Sequence, residues 1–126
     1  MDGLLSYAEP ILARWFTRGL PADDYRGYHN MLTRTPVDGY NGTCAAIRDA
    51  DLREVAKEVQ TPALVITGSQ DQSTPPELGQ ALADALPNAS FELIDNAGHF
   101  PCIEQPEQTA QHIRTFLKGA GAGSKN

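Results

Sequence analysis

A chain of 126 residues is one domain's worth at most, and a formal net charge of -6 argues against nucleic acid or an anionic membrane as its natural partner. No apolar run approaches the ~18 residues of a membrane span, and Met1-Asp2-Gly3-Leu4 lacks the basic region of a signal peptide, so no membrane partner and a cytoplasmic location are expected. Cys44 and Cys102 stand far apart with no Cys-x-x-Cys partner, which points to free, buried or half-buried thiols and to neither a metal site nor a disulfide.

From Met1 to about Phe16 the pattern is helical, with Leu4, Leu5, Ala8, Ile11, Leu12, Trp15 and Phe16 on a wide apolar face and Glu9, Arg14 and Arg18 elsewhere. Pro10 should kink this helix or mark its true first turn. Gly19-Leu20-Pro21 ends it, and Asp23-Asp24 suits the positive start of a second helix to about Leu32, packing through Tyr25, Tyr28, His29 and Leu32. Thr35-Pro36-Val37-Asp38 then reads as a helix start: a capping residue, a proline at the first helical position and an acid at the third. Gly39 and Gly42 are expected to break that third helix before Thr43-Cys44-Ala45-Ala46-Ile47-Arg48, and Asp51 to Ala56 makes a short helical turn. The first half of the chain thus reads as helices without a strand.

The second half changes character. Thr61-Pro62-Ala63-Leu64-Val65-Ile66-Thr67 is a short, β-branched apolar run ending at Gly68, three residues before Asp71. Pro75-Pro76 offers a helix start, and Leu78, Leu82 and Leu86, with Ala81 and Ala85 between them, repeat on one face of that helix. Ser90 to Asp95 is a second strand, left through Asn96-Ala97-Gly98-His99. Two strands joined through a helix are most simply parallel, by a right-handed crossover, so both loops open at one edge of the sheet. With neighbouring strands roughly 4.8 Å apart, the Asp71 carboxylate can reach one ring nitrogen of His99 and leave the other free as a general base, the rear half of a nucleophile–His–acid triad. An acid after a strand can equally cap the next helix, and His99 can equally be an ordinary loop histidine. Matching placement on consecutive strand ends favours the paired reading, whereas His29 and His112, within helices, read as surface or packing residues. Gln105-Pro106-Glu107 starts a last helix to about Leu117, with Thr109, Ile113, Phe116 and Leu117 inward, before a glycine-rich tail expected to be disordered.

Two strands make a poor sheet, so the chain looks like part of a larger α/β domain. Gly68-Ser69-Gln70-Asp71-Gln72-Ser73-Thr74-Pro75-Pro76, Asn96-Ala97-Gly98-His99-Phe100-Pro101 and Glu104-Gln105-Pro106-Glu107 resemble the acid loop, the histidine loop and the last helix of an α/β-hydrolase. Leu12-Ala13-Arg14-Trp15-Phe16, Thr35 to Tyr40 and Cys44 to Leu52 resemble the lid and lid exit of 3-oxoadipate enol-lactonases, cofactor-free cytoplasmic enzymes of aromatic catabolism that hydrolyse a carboxylated enol-lactone. The resemblance implies a helical lid over residues 1–50, the C-terminal part of the hydrolase core over 51–118 and a tail over 119–126. It makes Asp71 the triad acid and His99 the base, and it places Arg14 and Trp15 in the substrate pocket, where a guanidinium fork would match a substrate carboxylate. It implies no cofactor and no metal.

One departure from the family pattern matters. The nucleophile should precede the lid in a Gly-x-Ser-x-Gly turn, and none of Ser6, Ser69, Ser73, Ser90 and Ser124 stands in such a turn after a strand. Gly42-Thr43-Cys44-Ala45-Ala46 imitates one only superficially, because no strand pattern precedes it. Two expectations follow. In the first, the chain supplies lid, acid and histidine to a lactone or ester hydrolase and is inactive alone, its nucleophile-bearing N-terminal half arriving as a separate polypeptide or having been lost by truncation. In the second, it is a non-catalytic module or pseudoenzyme that covers its strand edge by forming a homo-oligomer.

Overall fold

A computed structural model of the chain describes residues 4–17 and 20–122. In chain order it contains α1 (Leu5–Trp15), α2 (Ala22–Thr33), α3 (Val37–Asp49), α4 (Arg53–Ala56), β1 (Ala63–Gly68), α5 (Pro76–Ala85), β2 (Ala89–Ile94), α6 (Pro101–Glu104) and α7 (Pro106–Ala122). Among the described residues no helix is long and apolar enough to cross a membrane. The expected helical start over residues 1–3, and residues 123–126 of the expected tail, lie outside the described residues.

The apolar stripe of α1 does what its spacing predicts: Ala8 and Leu12 are buried with Leu32 of α2, and Ile11, Trp15, Phe16, Tyr25 and Tyr28 pack round them. Pro10 lies inside α1, beyond its first turn, where the missing N–H forfeits one ladder bond. Thr35 does not cap α3; its hydroxyl donates to the Met31 carbonyl at 2.7 Å and so closes α2, while Pro36 flanks α3 and Val37 is its first residue. Nor do Gly39 and Gly42 break α3, which runs unbroken to Asp49. The Thr43 hydroxyl bonds back to the Gly39 carbonyl at 3.0 Å across the suspect turn. Gly42-Thr43-Cys44-Ala45-Ala46 therefore lies within a helix and forms no strand-to-helix turn.

β1 and β2 pair in parallel, in a register that sets Gly68 beside Ile94 at the carboxyl ends. Adjacent residues of a strand point to opposite faces, and Phe91 and Glu92 show what covers each. Phe91 meets α5 at Gly79, and Glu92 pairs with His112 of α7 at 3.1 Å. The sheet is thus flanked by α5 and α7. α5 does not use its leucines for this: Leu78 and Leu82 are 59% and 48% exposed, and Ala83 is buried instead. The approach to the strands is too close for a larger side chain, since a Cβ on Gly79 would stand 2.3 Å from Thr67 Oγ1 and 3.0 Å from the Phe91 ring. The leucine face lines, with Leu52 and α4, an open groove of about 620 Å³.

Three other expectations are corrected in the same way. Ile113 and Leu117 of α7 are exposed, while Thr109 is buried. α7 continues through Gly119 to Ala122, so the chain does not leave the helix at residue 119; alanines at 120 and 122 carry the ladder where glycine alone would not. Cys44 on α3 and Cys102 on α6 are free but exposed, covered by none of the described residues.

Replacing Gly79 by leucine is expected to lower unfolding free energy by roughly 1–3 kcal/mol through overpacking, whereas Leu78→Gln should change it by less than about 0.5 kcal/mol. Urea unfolding followed by circular dichroism decides, and the reverse order would put the leucine face in the core.

Candidate active site

Both strands end in loops that are held to each other by backbone. Ser69 N–H donates to the Ile94 carbonyl and Gln70 N–H to that of Ala97, each at 2.9 Å. Asn96 N–H donates to Ser69 Oγ at 3.1 Å. Asn96 itself turns the second loop at φ 56°, a left-handed conformation that asparagine tolerates better than most residues. Gly68 has to be glycine: a Cβ there would sit 2.1 Å from the Gly98 carbonyl oxygen and 2.4 Å from that of Ala97.

On this frame the structure brings Asp71 and His99 together, with Asp71 Oδ2 2.8 Å from His99 Nδ1. Asp71 is 7% exposed. Its two oxygens divide the work. Oδ1 accepts the backbone N–H groups of Ser73 at 2.8 Å and Thr74 at 3.0 Å, and Oδ2 accepts the Thr74 hydroxyl at 3.0 Å as well as the imidazole. The carboxylate thus does cap a turn, as an acid in that position can, but the turn is its own loop; α5 starts later, at Pro76. Burial by itself pushes the Asp71 carboxyl up, and the Thr74 N–H, His99, the Ser73 N–H and the Thr74 hydroxyl together outweigh it and hold the group below the ordinary 3.8.

A carboxylate only accepts, so the shared proton resides on His99 Nδ1; in the neutral imidazole Nε2 is then the acceptor. The His99 side chain is 30% exposed. Trp15 lies nearly parallel to the imidazole, centroids 6.2 Å apart at 23°, and Phe100 stands edge-on to both rings. The Trp15 carbonyl accepts the His99 N–H at 2.7 Å. Arg14 reaches from α1 to the acid loop, where Nη2 donates to the Gln72 carbonyl at 2.9 Å. One of the five donors of its guanidinium is spent there. All four expected site residues therefore gather at one edge of the sheet. His29 stacks on Tyr25 and His112 pairs with Glu92, both away from this edge.

Two polar residues near His99 escape a reading of the sequence. Thr74 holds the carboxylate and lies 3.3 Å from His99 Nδ1; Asp-x-Ser-Thr is an Asx-turn composition that could have flagged it. Glu104 is 5% exposed and accepts the Gly98 N–H at 2.7 Å. No periodicity marks a buried acid in a four-residue helix.

This segment, residues 14–106, matches the family model described as alpha/beta hydrolase fold. The chain belongs to the α/β-hydrolase family. Its helices and parallel strand pair are those of the C-terminal portion of that fold. Among curated α/β-hydrolases it is 32% identical to 3-oxoadipate enol-lactonase 1 of Acinetobacter baylyi, over 93% of this chain and 45% of that protein. It is also 32% identical to the pimeloyl-[acyl-carrier protein] methyl ester esterase of Methylococcus capsulatus, over 92% of this chain and 49% of that protein. The crystal structure of the enol-lactonase from Burkholderia xenovorans LB400 superposes with a TM-score of 0.83 at 31% identity, covering 94% of this chain and 46% of that one. The chain therefore spans about half the length of the relatives it matches.

Because the Asp71 pKa is depressed in the folded state, its contribution to stability is present above the ordinary carboxylate range and is lost as pH falls through the folded value. Urea midpoints measured from pH 7 down to pH 3 should fall for the wild type below about pH 4 and fall less steeply for Asp71→Asn. Parallel acid limbs would show that Asp71 is not held in its charged form by this loop.

Proposed function

We propose that this chain carries the acid, the base and the substrate-facing helices of a cofactor-independent serine hydrolase acting on a lactone or carboxylic ester, with the nucleophile on a polypeptide segment that supplies the rest of the fold. The observation that supports this reading most directly is the 2.8 Å contact between Asp71 Oδ2 and His99 Nδ1, on a histidine whose side chain is 30% exposed. The lactonase and esterase relatives support the substrate class. On this reading the helices of residues 1–50 form the lid, and the reaction belongs to cytoplasmic catabolism of aromatic compounds.

The chemistry follows from the geometry. His99 Nε2 removes the serine proton as the serine oxygen attacks the acyl carbon, and Asp71 stabilises the resulting imidazolium while fixing its tautomer. Collapse of the tetrahedral intermediate breaks the acyl–oxygen bond of the lactone or ester, and the leaving oxygen takes the proton from Nε2. Water then repeats the cycle on the acyl-enzyme and releases the acid. Trp15 walls the site beside the imidazole, and Arg14, anchored by one hydrogen bond to Gln72, keeps donors for a substrate carboxylate.

A mixture of this chain with a polypeptide carrying the nucleophile-bearing half of the Burkholderia xenovorans enol-lactonase is the test, with enol-lactone opening followed by absorbance. Hydrolysis should appear in the mixture and be absent from this chain alone. His99→Ala should reduce the rate by at least ~10³-fold, and Asp71→Asn by roughly 10⁴-fold by presenting the wrong tautomer. Arg14→Ala should raise KM for a carboxylated lactone more than for a neutral ester. An inactive mixture in which the two polypeptides form a folded complex would sink the proposal.

A second reading rests on the apolar groups left at the surface, Leu78, Leu82, Val37 and Ile47 among them. Such faces favour association, and for the chain by itself the associated form would be a non-catalytic homo-oligomer. Light scattering on the purified chain is expected to give a mass above the monomer; a monomer that stays soluble at high concentration counts against it.

A further inference from the structure

The buried carboxylate at position 104 has no part in the proton transfers above, yet its hydrogen bonds end one residue from His99. Glu104 belongs to α6, the short helix that follows the histidine loop, and its oxygens face different segments. Oε2 accepts the Gly98 N–H at 2.7 Å. Oε1 accepts both the N–H of Thr17, at 2.9 Å, and its hydroxyl, at 2.5 Å. Thr17 follows the C-terminal end of α1, and from that same end the Trp15 carbonyl takes the His99 N–H at 2.7 Å. The loop carrying the base is therefore bound to the end of α1 twice: directly through His99, and by way of Glu104 through Gly98.

The approach leaves no slack. A Cβ on Gly98 would lie 2.6 Å from the Trp15 carbonyl oxygen and 3.2 Å from Glu104 Oε2. The chemistry of the bracket also requires an acceptor at both ends. A glutamine of the same shape offers one oxygen and one NH₂, so either the buried contact to Gly98 N–H or the part-buried contact to Thr17 N–H would set donor against donor, and an unmet buried donor is costly. Arg14 and Trp15 project from the helix held by this bracket, the first onto the acid loop and the second onto the imidazole.

We propose that Glu104 is a positioning residue that locks the backbone of His99 to the end of α1, so that one carboxylate sets the aim of the imidazole, the seating of Trp15 beside it and that of Arg14 on the acid loop. This rests on the reading of Asp71 and His99 as the acid–base pair.

The test uses the full 126-residue chain, labelled with ¹⁵N, and two readouts: amide hydrogen exchange at Gly98 and His99, and the ring nitrogen signals of the histidines. In Glu104→Gln, exchange at Gly98 and His99 should accelerate at least tenfold, and the His99 ring should pass from one Nδ1–H tautomer to an averaged mixture. The His112 ring and the amides inside β1 and β2 should stay as in the wild type, which a general loss of stability would not allow. Thr17→Val removes one donor from Oε1 and leaves Glu104 in place; it should give the same pattern at smaller amplitude, and it decides the matter if Glu104→Gln does not fold. Unchanged exchange and ring signals at His99 in the folded variants overturn the proposal, as does a change spread equally over His112 and the sheet. Asp71→Asn separates the two readings: it should alter the His99 tautomer and leave Gly98 exchange alone. A ring indifferent to Asp71→Asn defeats the acid–base reading while the Glu104 bracket still stands or falls on the Gly98 amide.

Discussion

Everything at the reactive edge depends on how closely two loop backbones approach after β1 and β2. Gly68 touches the carbonyls of Ala97 and Gly98 so tightly that no side chain fits between them. Parallel strands end side by side whatever their sequence, but ending side by side leaves several ångströms to be closed before a carboxylate can bond an imidazole. The hydrogen bonds from the Ser69 and Gln70 N–H groups to the Ile94 and Ala97 carbonyls close that distance. Asp71 and His99 then need only their own short side chains to meet. Precision at this site is a backbone property, and the two side chains inherit it.

The same logic decides what could be read from the sequence. The strands were legible because β-branched residues between proline and glycine have few other uses, and the acid–histidine pairing followed from topology: strand ends that share an edge bring their loops together. The packing face of α5 was not legible. Leucine at four-residue spacing is a strong signal for a buried stripe, but it presumes that burial goes to the largest apolar groups. Here the sheet is approached through Gly79 and Ala83, and steric fit overrides hydrophobicity. α3 misled for a related reason. Gly39 and Gly42 lower helix propensity without forbidding the helix, and the Thr43 back-bond spans the weak turn. Thr35 shows the limit of local motifs, since one threonine between two helices can close the first as readily as open the second.

Glu104 stands at the far end of this scale. Its neighbours Cys102 and Ile103 are exposed, so the acid is the buried member of its helix, the inverse of what amphipathic patterning expects. Burying a carboxylate is unfavourable unless its oxygens are met, and among the donors that meet them are those of Thr17 and Gly98, far apart in the chain. A residue whose environment is assembled wholly by tertiary contacts leaves no periodic trace. Asp71 differs because two of its donors, Ser73 and Thr74, are local. Local donors leave a pattern of turn-forming residues in sequence, and distant donors do not.

The two buried carboxylates nonetheless follow one design. Each gives one oxygen to a fixed backbone anchor and the other to the side of the molecule that must be held against it. Asp71 takes its own loop with Oδ1 and the imidazole with Oδ2. Glu104 takes the end of α1 with Oε1 and the histidine loop with Oε2. The imidazole is therefore restrained from two directions, at its ring by Asp71 and at its backbone through Gly98, and the restraints oppose different motions. Asp71 stops the ring from turning about its own bonds; the bracket stops the loop from carrying the ring away. On the proposed reading of His99 as the base both restraints matter, because freedom in either coordinate would lengthen the contact with a reacting oxygen. Trp15 and Phe100 add ring contacts to the imidazole, the first stacked and the second edge-on. The position of the imidazole is thus set from named contacts within this chain, at its ring and at its backbone.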